Sequence, residues 1–138
     1  CYGVTIERGV LISAGAVFTN DRFPRATDPE ISRLNSSDPS ESTRHTMVRD
    51  GATIGAGAVI GCELEIGRFA MIGMGSVVTR GVADFHLAYG NPARTIGCVC
   101  RCGELLLRWA DSAVRSSPEC PACGRRYSVC DQVVLRFR

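Results

Sequence analysis

The chain has 138 residues, 45% of them hydrophobic and 22% charged, an ordinary balance for a globular protein with room for one domain and a small appendage. Its net charge of +2 is too small to point to nucleic acid or a membrane surface, and no stretch of about 18 consecutive apolar residues offers a spanning helix. All 16 basic side chains are arginines, which excludes chemistry that needs a lysine.

The start shows no charged segment followed by an apolar one, as a secretion signal would. It opens at Cys1 without Met and enters a repeating register almost at once, with Ile6, Ile12 and Phe18 six residues apart and Val10 and Ala16 between them. Further coils are therefore expected ahead of Cys1. The register then breaks. Residues 19–47 are polar and rich in Ser, Pro and Asp, too long for a corner turn and too polar for a core strand. They predict a loop projecting from one corner, with residues 33–43 open to being a disordered insertion.

From Val48 the repeat is unbroken. A branched aliphatic falls at Val48, Ile54, Ile60, Ile66, Ile72 and Val78, and Gly follows four of them, at positions 55, 61, 67 and 73. Small or aliphatic residues (Ala52, Ala58, Leu64, Ala70, Ser76, Val82) lie four positions after each. A period of six fits neither an amphipathic helix nor a lone strand. It predicts an all-β parallel β-helix of hexapeptide repeats. Three hexads would close a coil of about 18 residues, with coils stacked at roughly 4.8 Å, large aliphatics inward and Gly at tight corners. Each buried Ile or Val contributes about 1.5–3 kcal/mol before entropy. A stack of three coils exposes sheet edges at both ends; the preceding coils are expected to cover one and the C-terminal segment the other. After Val82 the repeat ends, and Gly90, Asn91 and Pro92 make a turn followed by the cation Arg94.

Six of the eight cysteines fall between Cys98 and Cys130. Cys120-Pro-Ala-Cys123-Gly124 is a zinc knuckle, two thiolates three residues apart with Gly freeing the turn. Its partner is Cys100-Arg-Cys102-Gly103, although Cys98 can stand in for Cys100 by spacing alone. Cys100, Cys102, Cys120 and Cys123 are assigned to structural Zn²⁺, since four thiolates leave no open position for catalysis. Cys130 is left as a spare thiol or core residue. Roughly forty residues lack enough core to fold alone, and metal would supply the difference. Strands are expected at Glu104–Trp109 and Val133–Phe137. Arg125, Arg126, Arg136 and Arg138 make this zinc-ribbon-like tail basic, but no nucleic acid partner is expected. The domains are thus residues 1–97 and 98–138.

Three motifs carry a family resemblance: VFTNDRFPRA (Val17 to Ala26), TMVRDGATIGAGAVI (Thr46 to Ile60) and MIGMGSVVTRGVADFHLAYGNPAR (Met71 to Arg94). Residues 1–97 resemble the hexapeptide-repeat acyltransferases, and through the first motif the nucleotide-sugar N-acetyltransferases among them. The resemblance implies a left-handed winding, against the general right-handed preference of parallel crossovers. It implies a cytoplasmic homotrimer with acetyl-CoA in the groove between neighbouring prisms. The acceptor would be the 3-amino group of a UDP- or dTDP-linked aminosugar for surface polysaccharide, seated near Asn20 and Asp21. Small side chains at Gly73, Gly75 and Ser76 would let the acyl carrier approach the coil backbone, on toward Asn91, Pro92, Ala93 and Arg94, with Arg94 and Arg80 as candidate partners of its phosphates. Relatives carry a similar cysteine-rich tail.

Proximity can supply about 7–11 kcal/mol of such a barrier, and a coil N–H can serve the oxyanion. Asp21, His45 and His86 are the candidates for a base, and neither histidine matches a family site. The Asn20-Asp21 pair also suits ordinary turn capping. The competing reading is a β-helix scaffold without activity, or transfer to another small acceptor. A β-helix carbonic anhydrase needs three histidines on one zinc, and the chain has two.

Overall fold

The computed structural model describes residues 2–39, 43–111 and 115–136. Cys1, Phe137 and Arg138 lie outside them, as does the side chain of Arg136.

Nine short strands wind three coils. The first coil holds β1 (Val4–Ile6), β2 (Leu11–Ile12) and β3 (Val17–Phe18). The second holds β4 (Thr46–Val48), β5 (Thr53–Ile54) and β6 (Val59–Ile60), and the third β7 (Glu65–Ile66), β8 (Met71–Ile72) and β9 (Val77–Val78). All pairings between coils are parallel, so the prism has three faces: β1-β4-β7, β2-β5-β8 and β3-β6-β9. The six-residue register is what stacks like on like. Ile12, Ile54 and Ile72 form one ladder, and Phe18, Ile60 and Val78 another.

The core is the inward residue of each hexad with its small companion: Val48, Ile54, Ile60, Ile66, Ile72 and Val78 beside Ala52, Ala58, Ala70, Val82 and Ala88, all buried. Glycines serve two different ends. Gly9, Gly51 and Gly75 turn corners with positive φ (67°, 69° and 66°). Those directly after an aliphatic do not; a Cβ on Gly55 would run into the backbone of Gly73 and Met74 on the next coil. Close stacking, rather than a tight turn, demands that glycine.

The inserted loop is shorter than its polar text suggests. Thr46 already belongs to β4, because its N–H bonds the Gly3 carbonyl (2.7 Å) and its backbone pairs with Val4. The loop's first half folds on itself. A bridge joins Thr27 to Leu34, the Asp28 carboxylate accepts the Ser32 N–H (2.8 Å) and hydroxyl (2.7 Å), and the Asn35 amide donates to Arg25 and Thr27 carbonyls (3.0 Å each).

Beyond the third coil the chain reverses. β10 (His86–Gly90) lies parallel on β8, and β11 (Ala93–Val99) returns antiparallel to it through a cis Asn91–Pro92 peptide. β12 (Leu105–Arg108) follows antiparallel, extending the second face to six strands. β11 runs through positions 97 and 98, so the sheet is continuous across that point. A 3₁₀ turn (Trp109–Asp111) leads to a second sheet of β13 (Arg115–Ser116), β14 (Tyr127–Cys130) and β15 (Val133–Arg136). A second core gathers Cys98, Cys100, Cys120, Tyr127, Val129 and Val134, with Phe85 packed against it. Phe85 stacks on Phe69 of the last coil (5.5 Å) and meets Tyr127 edge-on (5.6 Å), joining the two cores.

Candidate functional site

Two corners bound the third face. The corner ahead of β9 carries Gly73, Gly75 and Ser76. Ser76 is fully buried, its hydroxyl donating to the Gly73 carbonyl (2.7 Å) and accepting the Gly90 N–H (3.2 Å). Gly73 donates its N–H to the Ala88 carbonyl (2.8 Å), and a Cβ there would strike Tyr89. This corner is thus pinned to the tip of the β10–β11 hairpin, where Asn91 and Pro92 are exposed, Ala93 is half-buried and Arg94 donates to the Ala93 carbonyl (2.9 Å). Gly75 is open, with nothing within 4 Å of where a Cβ would sit.

The corner after β3 carries Asn20 and Asp21. Asn20 is half-buried and its carbonyl accepts the Arg44 N–H (3.4 Å), closing the loop's base. Asp21 is exposed and accepts the Phe23 N–H (3.0 Å), an Asx turn. Around them is a cavity of about 310 Å³ shared with Arg22, Ser36, Asp38 and Arg44. Glu63 of the third coil holds both arginines, Arg22 at 3.5 Å and Arg44 at 3.4 Å.

The cysteine knuckles form the third constellation. The Sγ atoms of Cys100, Cys102, Cys120 and Cys123 all lie within 4.8 Å of one another. Cys100 is 3.4 Å from Cys123, and Cys102 is 3.6 Å from Cys120. Tetrahedral thiolates at about 2.3 Å from zinc would be spaced similarly. Cys98 is buried elsewhere, and that burial pushes its thiol up to about 11. Of the two cysteines that spacing left open, Cys100 therefore belongs to the cluster. The Arg125 N–H draws the Cys123 thiol down to about 6. Cys102 accepts the Glu104 N–H yet, crowded by Cys100, is pushed up to about 12. The fully buried Tyr127 accepts the Arg101 N–H (2.9 Å), which leaves its own proton for Cys100 Sγ at 3.2 Å.

No family profile matches the chain. Over 97 residues it is 45% identical to the dTDP-3-amino-3,6-dideoxy-alpha-D-galactopyranose 3-N-acetyltransferase of Aneurinibacillus thermoaerophilus, covering 70% of this chain and 47% of that protein. The serine acetyltransferase of Brucella abortus strain S19 in complex with coenzyme A matches with a TM-score of 0.50 at 28% identity, over 70% of this chain and 34% of the other. AntD, an N-acyltransferase of Bacillus cereus crystallised with dTDP and 3-hydroxybutyryl-CoA, shares the fold (TM-score 0.55, 20% identity, 72% and 53% covered). By sequence and fold the chain belongs with the hexapeptide-repeat acyltransferases. It spans about half the length of the aminosugar acetyltransferase it matches.

Within this hexapeptide-repeat frame, the fold gathers Gly73, Ser76 and the tip at 90–94 into one place. It leaves Asn20 and Asp21 at the opposite edge of the same face and two coils away. Four extended residues and two coil steps separate them, roughly 16 Å. His86 is withdrawn from the candidate bases. It is buried between the last coil and the tail, with Nε2–H donating to the Gln132 carbonyl (2.8 Å) and its ring edge-on to Trp109 (5.2 Å). His45 stays exposed, one residue beyond the cavity-lining Arg44. Arg22 and Arg44 escape a reading of motifs because the carboxylate they share, Glu63, belongs to a distant coil. Tyr127 escapes because its partner thiol is 27 residues away.

Proposed function

We propose that this chain forms part of an acetyl-CoA-dependent N-acetyltransferase acting on the amino group of a nucleotide-linked aminosugar for surface polysaccharide. The 45% identity to a dTDP-aminosugar 3-N-acetyltransferase carries this reading. Neighbours of the fold bind coenzyme A, which supports acetyl-CoA as the acyl donor and the cytoplasm, where that donor is made, as its location. The winding is taken as left-handed, as the family resemblance implies.

The working unit is a homotrimer. Outward residues of the third face are Val17, Val59 and Val77, an apolar ladder in register, whereas the first face presents Thr5, Met47 and Glu65. Packing copies along that ladder buries it and sets the Gly73–Ser76 corner of one prism beside the Asn20–Asp21 corner of its neighbour. The acyl carrier then lies along Gly73, Gly75 and the tip formed by Asn91, Pro92, Ala93 and Arg94. Ser76 acts by fixing that tip rather than by touching the ligand. Asn20 and Asp21 orient the sugar amine, with Arg22 and Arg44 beside them for its diphosphate. Open backbone N–H groups of the corner stabilise the tetrahedral oxyanion. Structural zinc fits the four thiols, because only a cation lets so many ionise this close together, and it holds the tail closed on the last coil.

A second reading, transfer to a different small acceptor, is favoured by the likeness to a serine acetyltransferase. Calorimetry of the complete polypeptide with acetyl-CoA and a panel of dTDP- and UDP-aminosugars separates the two. Turnover with one aminosugar is expected, reduced at least a hundredfold by Asn20→Ala and Asp21→Ala. Unchanged turnover in both variants would refute the site. Binding of acetyl-CoA without any aminosugar turnover would favour the second reading, and no binding the inactive scaffold.

A further inference from the structure

The corner between the first and second faces carries features that the transfer site does not use. Corner positions 9, 51 and 69 stack on one another. The first two are glycines at φ 67° and 69°, and the third is Phe69 at φ 53°. A bulky side chain in the left-handed region is strained, and such strain gathers at sites of function. The ring lies across Gly51, where any Cβ would overlap it. The Arg101 guanidinium stands over that ring at 4.5 Å.

Arg101, Arg68 and Arg8 line one open cavity of about 440 Å³ with a single carboxylate, Asp50. Asp50 is already engaged by Arg8, through the backbone N–H (3.1 Å) and the guanidinium (3.3 Å). Among the described residues, Arg68 and Arg101 lie within ion-pair distance of no carboxylate. The cavity lining therefore carries three exposed cations against one carboxylate, with the Asp84 carboxylate bound to the Arg68 N–H (2.7 Å) beside it. Guanidinium forks match phosphoryl oxygens in geometry as well as charge. Phe69 stacks on Phe85 and carries Arg101, so it serves as a shelf for the cation rather than a platform for a base.

We infer that this corner is a phosphoryl-anion site built on Arg68 and Arg101, and that the cysteine knuckle is what places Arg101 in it. Arg101 sits between two cluster cysteines, and its N–H is held by the Tyr127 hydroxyl that also faces Cys100. Assembly of the knuckle thus sets the position of a binding residue, which gives the tail a role in ligand capture. The phosphoryl group would come from either of the two phosphorylated substrates of the proposed reaction, and in that respect the inference rests on that reading.

The test is calorimetry of the complete polypeptide, loaded with zinc, against three probes: adenosine 3′,5′-bisphosphate, thymidine diphosphate and inorganic pyrophosphate. Arg68→Ala and Arg101→Ala should each weaken at least one probe tenfold or more while melting near the parent temperature. Arg108→Ala, an exposed arginine outside the cavity, should leave all three unchanged. Chelation of the metal should erase the difference between Arg101→Ala and the parent. A loss confined to the adenosine probe assigns the site to the acyl carrier, one confined to the thymidine probe to the sugar nucleotide, and a loss shared with pyrophosphate to any diphosphate. Unchanged affinity for all probes in both variants, or no binding by the parent, overturns the inference. Acyl transfer is followed separately by thiol release. Transfer that persists with unaffected anion binding sinks this inference alone; anion binding lost in the variants of a protein that transfers nothing sinks the functional reading alone.

Discussion

The two ends of the prism are built from the same residues and end in opposite states. Ile6 and Ile12 of the first coil are 49% and 37% exposed, while Ile66 and Ile72, on the same ladders two coils on, are 0% and 1% exposed. All four point toward the axis in the same register. What differs is the neighbour within these 138 residues: the third coil lies under β10, Val82 and the aromatic seam of Phe69, Phe85 and Tyr127, while the cover of the first coil would come from the chain expected ahead of Cys1. Register decides where a side chain points, but only a further layer removes it from water. Burial at about 25 cal/mol per Å² is therefore realised fully in the third coil, and in the first it waits on a layer ahead of Cys1.

This contrast can be broken most severely at the covered end. Cys120→Ala removes one of four converging thiols, and zinc binding in such sites is worth on the order of 10 kcal/mol. The tail should lose its fold and become protease-sensitive, with Phe69 and Phe85 newly exposed, while the three coils persist. Limited proteolysis with mass spectrometry would show cleavage confined to the tail, and an unchanged digestion pattern would contradict the covering role.

A second comparison uses a single ladder. Ile54→Ala, in the middle coil, should cost about 2–5 kcal/mol through lost burial and a cavity. In the 138-residue chain by itself, Ile12→Ala, at a site 37% exposed, should cost less than about 1.5 kcal/mol. Urea denaturation of both variants gives the ratio, and equal costs would mean the first coil is covered in solution.

Ser76→Ala leaves the Gly90 N–H without its buried acceptor, at about 1–3 kcal/mol. Amide exchange at Gly90 should accelerate while the first coil is unaffected. The smallest effect is expected in the inserted loop. The Ser32 hydroxyl, with the N–H groups of Ser32 and Arg33, holds Asp28 below the usual carboxylate range. A carboxylate lowered on folding contributes above its unfolded pKa and loses that contribution as pH falls through its folded one. The turn at 28–33 should therefore stay ordered at neutral pH and loosen only in acid below that range. Chemical shifts of Ser32 and Arg33 that move at higher pH would contradict this.

A repeat of six is local information written many times over, and so the inward aliphatics, the coil length and the place of the inserted loop were legible in the residues. The CxxC knuckle was legible for the same reason, since two thiolates three apart need only a turn. The other half of the cluster was not. Cys98 and Cys100 stand two apart, so strand alternation puts them on the same side and cannot choose. The choice falls to tertiary structure because β11 ends at Val99 and the next residue turns into the knuckle, where Gly103 donates back to the Cys100 carbonyl (2.8 Å). His86, Ser76 and Arg101 were undecidable for a related reason. Their roles depend on Gln132, Gly90 and Phe69, partners on other elements that the chain meets only after the coils have stacked and the tail has folded back.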